Sequence, residues 1–197
     1  MAPDLHARDG RYLIRSLYFD DLRDTALREK LDGVGRREKF RLRCYNCDDS
    51  YLVLEKKSKA GGLCAKEQAP LTRQQARALL ACDGAALAAD PSPLVQELRS
   101  KMQTRGLRPR TIVDYTREPF VFAPGNVRVT LDYDIRTGLG STDFFDFRCP
   151  TIPVGDAAAV LEVKWDEYLP SVIRDLVQVP STRTAAFSKY AACRIYG

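Results

Sequence analysis

The stretch Arg37-Glu-Lys-Phe-Arg-Leu-Arg-Cys44 alternates charged and apolar residues along one short segment. Because successive side chains of a β-strand point to opposite faces, a strand here separates its basic residues from its apolar ones. Further segments of the chain repeat this alternation. The charged members of the set are Lys39, Arg41 and Arg43; Glu55 and Lys57; Arg128 and Asp132; and Glu162 and Lys164.

The apolar residues of the same segments are suited to packing under helices. They are Phe40, Leu42 and Cys44; Val127, Val129 and Leu131; and Leu161, Val163 and Trp165. If helices cover this side, the charged faces are left to meet one another, and closure of the sheet brings them together. The sequence therefore predicts an α+β fold, an antiparallel β-barrel with a charged interior flanked by helices.

The remaining patterns place the elements around this barrel. Strands are predicted over Tyr12–Asp20, Glu38–Tyr45, Tyr51–Lys57, Cys64–Ala69, Arg110–Arg117, Asn126–Asp134 and Val160–Trp165. Helices are predicted over Asp24–Leu31, Gln74–Cys82, Pro91–Met102, Ser171–Val177 and Ala185–Ala192. Pro70 is expected to end its strand. No linker or internal repeat interrupts the chain, so residues 1–197 are predicted to form a single domain, with residues 1–10 as a flexible leader.

Composition narrows the function classes. The 197 residues carry a formal charge of +5, which suits an anionic ligand. The single histidine, His6, argues against a Ser-His-Asp triad or a histidine-rich metal site. The six cysteines lack the paired spacing of a zinc ribbon and no signal peptide is evident, so a reduced, cytoplasmic protein is expected. No apolar run approaches the roughly 20 residues of a membrane span, so any membrane link is expected to come from a partner protein.

The predicted interior has the chemistry of a phosphate-chain site. Arg supplies planar paired donors and Lys supplies compact positive charges. Such residues recur at Lys39, Arg41, Arg43, Lys57, Arg117, Arg128 and Lys164. Glu162 and Glu55 are the candidate ligands for Mg²⁺ or Mn²⁺, with Asp132 as an assistant, because these ions take carboxylate and phosphate oxygens. Phosphoryl transfer depends on positioning and charge neutralisation, so it does not require a histidine base.

Simpler interpretations compete with this one. A single K-x-R-x-R strand is more often a solvated face or a nucleic-acid patch, and an E-x-K pair is usually a surface ion pair. Recurrence of the pattern in both halves of the chain favours a shared interior. Nucleic acid is disfavoured because Phe40 falls on the face opposite the charges, where it cannot interleave with them.

Several strings of the sequence resemble the catalytic domain of the vacuolar transporter chaperone (VTC) family, one of the triphosphate tunnel metalloenzymes. They are Arg15-Ser-Leu-Tyr-Phe-Asp20, Arg37-Glu-Lys-Phe-Arg-Leu-Arg43, Leu54-Glu-Lys-Lys57, Val113-Asp-Tyr-Thr-Arg117, Val127-Arg-Val-Thr-Leu-Asp132, Leu161-Glu-Val-Lys164 and Ser188-Lys-Tyr190. The resemblance implies an antiparallel tunnel that binds ATP, triphosphate or polyphosphate with Mn²⁺ or Mg²⁺. It also implies transfer of the γ-phosphate of ATP to a growing polyphosphate chain.

Roles for single residues follow from the matching motifs. Contacts to phosphate are implied for Arg41, Arg43, Lys57, Lys66, Arg117, Arg128, Lys164 and Lys189. Lys39 and Arg15 are weaker matches to the same role. Those expected to act in catalysis are Arg41, Arg43, Lys57, Arg128 and Lys164. Glu162 is expected to hold the metal, with Glu55 as a second candidate.

One departure from the family pattern widens the range of functions. Family members usually begin with an extra strand carrying an E-x-K motif, which this sequence lacks. A missing strand predicts an open barrel edge that invites pairing with a second copy of the chain. Three functions therefore stay open: a polyphosphate polymerase-like enzyme, a triphosphatase of the same tunnel class, and a module that binds polyphosphate or another polyanion without turnover.

Overall fold

A computed structural model describes residues 1–3, 7, 9–155, 159–180, 182 and 184–195. The strands are β1 (Ala2–Pro3), β2 (Tyr12–Asp20), β3 (Arg37–Tyr45), β4 (Asp48–Ala60), β5 (Leu63–Leu71), β6 (Arg108–Phe122), β7 (Val127–Thr137), β8 (Ile152–Pro153) and β9 (Ala159–Lys164). The helices are α1 (Thr25–Leu31), α2 (Arg73–Leu80), α3 (Pro93–Arg105), α4 (Ser171–Leu176) and α5 (Lys189–Arg194).

The strands form one antiparallel sheet in the order β5-β4-β3-β2-β6-β7, with β8 and β9 both paired to the far side of β7. The sheet curls strongly. Lys57 on β4 and Lys164 on β9 line one cavity although five strand pairings separate them, a distance of about 24 Å in a flat sheet. The predicted α+β architecture with an antiparallel tunnel-like sheet is confirmed. The sheet is not closed, because in the described residues no pairing joins β5 to β9.

Tight turns set the register of the first hairpins. Asn46 and Cys47 both have positive φ and join Tyr45 to its partner Asp48, and the Asn46 side chain accepts a hydrogen bond from Leu13 N. Gly61 and Gly62 repeat this two-residue geometry between β4 and β5. Such left-handed pairs match the twist of the strands they connect, so each turn also fixes which residues stand opposite one another.

Helices α2 and α3 pack on the outer face of the sheet, chiefly on β4 and β5. Phe40, Leu42 and Cys44 are buried in one cluster with residues of both helices, as the alternation predicted. Thr72 begins α2 with a capping box to Gln75, which satisfies two backbone donors at the helix start. This layer leaves the opposite face of the strands to form the inside of the tunnel.

A second apolar cluster closes one end of the inner face. Tyr190 and Cys193 of α5 pack there against Ile14, Tyr18 and Tyr115. Tyr190 also donates a hydrogen bond of 2.7 Å to Asp20, whose carboxylate accepts backbone hydrogen bonds from the start of α1. Helix α5 therefore plugs one end of the curled sheet.

Several details differ from the sequence-based expectation. Pro70 lies inside β5, which tolerates a proline because β5 is an edge strand. Trp165 falls after β9 and is 48% exposed, so it is not covered by a helix. Ala2–Pro3 of the expected leader pair with Phe120 and Val121 on β6, while His6 lies outside the described residues.

The helices of the described residues are short, 6 to 13 residues each. None of them is long and apolar enough to cross a lipid bilayer.

Candidate phosphate-binding tunnel

Cross-strand register collects three lysines in one row. Lys39 on β3 stands opposite Lys57 on β4, and Lys57 stands opposite Lys66 on β5. Directly opposed like charges destabilise a sheet. A row of three such charges therefore indicates a site for an anion, whose negative charge would reduce their repulsion.

The neighbouring rows add both signs of charge to the same face. Arg41 lies between Tyr18 and Glu55, its partners on either side. Across the tunnel, Arg128 stands opposite Lys164. Because all these residues occupy alternate positions of their strands, they point inward together.

The inward side chains line a cavity of about 400 Å³. Apart from the weak match Arg15, the residues that the sequence assigned to phosphate binding lie on its wall: Lys39, Arg41, Arg43, Lys57, Lys66, Arg117, Arg128, Lys164 and Lys189. The set expected to act in catalysis is included in it. Exposure rises along the tunnel, from 6% for the Arg43 side chain to 54% for that of Lys164.

The tunnel continues into a mouth of about 430 Å³ that shares Lys39, Lys57, Lys66 and Lys164 with it. A larger cavity of about 730 Å³ lies outside, between α1, α3 and the strands β3 and β4. Its wall contains the paired charges Lys56 with Glu97 and Lys101 with Glu38. We place the functional site in the tunnel because its charges are predominantly of one sign.

Glu55 lies beneath the basic row rather than in the open tunnel. Its carboxylate accepts from Arg41 at 2.6 Å and forms ion pairs with Lys66 at 2.8 Å and Arg43 at 3.5 Å. Burial favours the neutral acid, but the arginines outweigh it and lower the pKa of Glu55 to about 2. With three basic partners, Glu55 is better assigned to holding them in place than to binding the predicted metal ion.

Asp132 on β7 likewise holds basic side chains of the tunnel wall in place. It accepts two hydrogen bonds from Arg117, at 2.6 and 2.7 Å, and pairs with Lys189 at 2.6 Å. Burial opposes ionisation of this carboxylate, yet Arg117 and Lys189 keep its pKa below the ordinary value. Asp132 is fully buried, so it supports the tunnel wall and does not reach the tunnel interior.

Lys39 and Lys57 have no ion-pair partner among the described residues. Burial lowers the pKa of Lys39, and Arg41 adds to this effect. Burial, Arg41 and Lys164 together lower the pKa of Lys57 to about 8, although its side chain reaches the water of the tunnel. Both ammonium groups therefore gain from any anion that enters.

Three tyrosines were missed by the sequence analysis. Tyr18 accepts a hydrogen bond of 2.9 Å from Arg41, Tyr115 one of 3.2 Å from Arg43, and Tyr12 one of 3.1 Å from Arg128. Each tyrosine oxygen therefore fixes the orientation of the guanidinium that donates to it. The signal that finds them is the same alternation, since each tyrosine falls at an inward position of β2 or β6.

Arg15, a weaker match to the phosphate-binding role, lies outside the tunnel. It lies on the outer face of β2, where it forms a buried ion pair of 2.8 Å with Asp114. Its guanidinium also donates to the carbonyl oxygen of Asp146 at 2.6 Å and lies over the Phe147 ring. Arg15 therefore fastens the segment before Cys149 to the sheet and does not contact the tunnel.

Glu162 is the predicted metal ligand whose carboxylate faces the tunnel. Its side chain is 39% exposed and pairs with Lys164 at 3.2 Å and Arg117 at 3.7 Å. Burial opposes its ionisation, but Lys164 and Arg117 hold the pKa below the ordinary value, so the carboxylate is charged. The described residues contain no group of three or more His, Cys, Asp or Glu side chains able to hold a metal. This donor set fits an ion that takes most of its ligands from a bound phosphate chain.

Two solved structures illustrate the distant likenesses of this fold. A candidate adenylate cyclase from Bacillus halodurans is 15% identical, with a TM-score of 0.45, and the likeness covers 67% of this chain and 61% of that one. The PH1819 protein of Pyrococcus horikoshii is 12% identical, with a TM-score of 0.39, and the likeness covers 85% of this chain and 71% of that one. No curated protein matches the sequence.

The sequence pattern of the VTC domain family matches residues 1–195, which is nearly the whole chain. The match includes all the strands that line the tunnel. The chain belongs to the VTC domain family.

Proposed function

We propose that this protein binds the phosphate chain of ATP, triphosphate or inorganic polyphosphate in the tunnel and transfers the γ-phosphoryl group of ATP to a polyphosphate chain. Membership of the VTC domain family supports a role in phosphoryl transfer or polyphosphate metabolism. The observation that carries the finer proposal is the convergence of nine basic side chains on one cavity. A linear polyanion matches such a wall in both charge and shape.

The chain's own residues would act by binding and orientation. Arg41 and Arg43 are held by tyrosines and Glu55, so their guanidinium planes are fixed before a ligand enters. Lys57 and Lys164 would neutralise charge at the more exposed end of the tunnel. Donors fixed in advance lower the barrier because little reorganisation is needed as charge shifts during transfer.

A divalent cation completes the proposed site. Glu162 would hold Mn²⁺ or Mg²⁺ against the phosphate oxygens, and the ion would supply further charge neutralisation on the transferred group. The Glu162 carboxylate faces the tunnel beside Lys164 from β9, and Arg41 faces it from β3. Phosphates lying between these walls could be contacted from both.

Incubation with ATP and Mn²⁺, followed by separation of the phosphate chains and measurement of ADP, tests the proposal. Chain growth with matching ADP is the expected result. Arg41→Ala and Arg128→Ala are expected to abolish it, whereas Arg174→Ala, which removes an exposed basic side chain of α4, leaves it unchanged. No chain growth and no ADP from the wild-type protein would reject polymerase activity.

Two other outcomes identify the alternative functions. Release of orthophosphate without a longer product would indicate a triphosphatase. Tight binding of triphosphate without turnover would indicate a binding module, which the opening between β5 and β9 makes a specific alternative. Loss of binding in Arg41→Ala would still locate that ligand in the tunnel.

The open edges also support a proposed association between copies of the chain. β5 and β9 each have one edge without a strand partner in the described part of the chain. Unpaired edges present hydrogen-bond donors and acceptors that a further strand can satisfy. Light scattering across a range of protein concentrations is expected to show dimers, and a monomer throughout would contradict this.

A further inference from the structure

Tyr18 occupies a special position in the tunnel. It is 3% exposed and stacks on Tyr190, with ring centres 4.7 Å apart. Its hydroxyl accepts a hydrogen bond of 2.9 Å from Nη1 of Arg41. The side chain is thus held rigidly, with its oxygen at the tunnel wall.

The groups around Tyr18 are mainly cationic. From β3, Lys39 and Arg41 lie over its ring at 5.6 and 5.7 Å, and Arg43 follows on the same face. From α5 the facing group is Tyr190, whose own proton is committed to Asp20. On β6 the opposing residue is Thr111, which does not titrate.

We propose that Tyr18 is a positioning residue that orients Arg41 and takes up a proton from solvent when a phosphate chain enters the tunnel. This inference rests on the proposed binding of phosphate chains. Without a ligand, ionised Tyr18 offsets part of the repulsion among Lys39, Arg41 and Arg43. With the ligand bound, the phosphates supply that negative charge, and a neutral hydroxyl can donate a hydrogen bond to a phosphate oxygen.

The electrostatics support this exchange. Burial alone would favour the neutral phenol, but Arg41, Lys39 and Arg43 outweigh it and lower the pKa of Tyr18 to about 7. A bound anion acts in the opposite direction and raises that pKa. The linkage is reciprocal, so protonation of Tyr18 must strengthen anion binding by the same factor as the anion favours protonation.

A spectroscopic titration tests the ionisation without any ligand. Tyrosinate absorbance near 295 nm, followed from pH 5.5 to 9, is expected to show one transition near neutral pH that is absent in Tyr18→Phe. Tyr168→Phe, at an exposed tyrosine outside the tunnel, should keep the transition. Lys39→Met should keep it but move its midpoint to higher pH. Identical titrations of wild type and Tyr18→Phe would overturn the proposal.

Calorimetry tests the coupling to the anion. Triphosphate binding near pH 7.5, measured in two buffers of different ionisation enthalpy, should show proton uptake by the wild type that exceeds uptake by Tyr18→Phe. Wild-type affinity should also fall by about fivefold more than that of the variant between pH 7 and pH 8. Equal uptake by both proteins would reject the inference.

The two experiments separate the two proposals. If the wild type binds no triphosphate at all, the proposed function fails, and with it the coupling. The absorbance titration would still show whether Tyr18 ionises near neutral pH. If triphosphate binds but Tyr18 does not titrate there, only the inference fails.

Discussion

At the scale of single residues, the acidic groups around the tunnel divide into two kinds. Glu55 and Asp132 are buried, and their carboxylate oxygens form ion pairs with basic side chains. Glu162 remains accessible from the tunnel. This division assigns support of the wall to the first two and proposed metal binding to the third.

Replacing Glu162 tests that assignment. Glu162→Gln is expected to reduce Mn²⁺-dependent ADP formation by about 100-fold or more, since even indirect partners of a metal contribute about 10–100-fold. Triphosphate binding in EDTA should be unchanged or tighter, because the variant removes a negative charge from the tunnel. Glu167→Gln, at an exposed site, is the control. Equal loss of binding and turnover in Glu162→Gln would contradict a metal role.

Lys57 is predicted to destabilise the folded protein and to strengthen the proposed binding of triphosphate. It stands between Lys39 and Lys66 with no ion pair of its own among the described residues. Lys57→Met should therefore raise the melting temperature by roughly 2 °C or more while weakening triphosphate binding. Lys56→Met, on the opposite face, removes an ion pair of 2.7 Å to Glu97 and should lower the melting temperature.

The pH dependence of this effect has a definite sign. The folded-state pKa of Lys57, about 8, lies below its ordinary value of 10.5. Below pH 8 the ammonium is charged in both the folded and the unfolded chain, so its repulsion destabilises the fold in full. Between pH 8 and 10.5 the folded protein loses this proton first, and the advantage of Lys57→Met should shrink. An advantage that grows over this range would contradict the account.

The buried pair of Arg15 and Asp114 is expected to be structural. Asp114→Asn should lower the free energy of unfolding by about 3–5 kcal/mol, because it leaves the Arg15 charge buried without a carboxylate. The double change Arg15→Met with Asp114→Leu should be much less harmful. Urea denaturation measures both, and Asp175→Asn, in an exposed ion pair, is the control. Loss of triphosphate binding in a folded double variant would show that Arg15 does more than hold the segment.

At the scale of elements, α5 connects the plug of the barrel to the site. Ser188 begins the helix, and its hydroxyl accepts a hydrogen bond from Ala191 N. The next residues are Lys189, which pairs with Asp132, and Tyr190, which stacks on Tyr18. A short helix thus sets the position of two groups that line or support the tunnel.

A pair of cap variants separates stability from function. Ser188→Ala and Thr72→Ala each remove the hydroxyl that begins a helix, α5 and α2, and each should lower the free energy of unfolding by about 1 kcal/mol. Triphosphate binding at a temperature where both variants are folded should weaken only in Ser188→Ala, because α2 lies outside the barrel. Equal binding by the two variants would argue against α5 as part of the site.

At the scale of the whole molecule, curvature of the sheet concentrates charge that the composition barely reveals. The formal charge of the chain is only +5, yet nine basic side chains share one cavity of about 400 Å³. Their mutual repulsion destabilises the fold, and a bound anion would reduce it. We therefore expect the proposed anion binding to increase the stability of the domain.

Triphosphate should consequently protect the protein against heat. At about 100 times the dissociation constant the expected gain is about 2.7 kcal/mol, visible as a higher melting temperature. Added salt should reduce the gain by screening, as for other charged ligands. Arg41→Ala should show little gain from triphosphate. The same gain from sodium chloride at matched ionic strength would indicate a general salt effect instead of a specific site.

The local alternation of charged and apolar residues was enough to predict most strand positions and most of the tunnel wall. Helical spacing indicated most of the helices, and Lys66 and Lys189 were added only by the resemblance to the VTC family. The alternation works because side chains of a strand alternate with a period of two, whatever the rest of the chain does. Lys39, Arg41 and Arg128 could therefore be placed on inward faces from their own neighbours in the sequence. Glu162 followed from the same rule.

The partners of those residues were decided only by the tertiary structure. Arg15 lies on the outer face and pairs with Asp114, which is 99 positions away. Glu55 forms ion pairs with three basic side chains from two other strands. Tyr18 gained its cationic surroundings from β3 and its stacking partner from the last helix. These pairings depend on register, curvature and burial, which arise from contacts between distant segments and leave no periodic trace in the sequence.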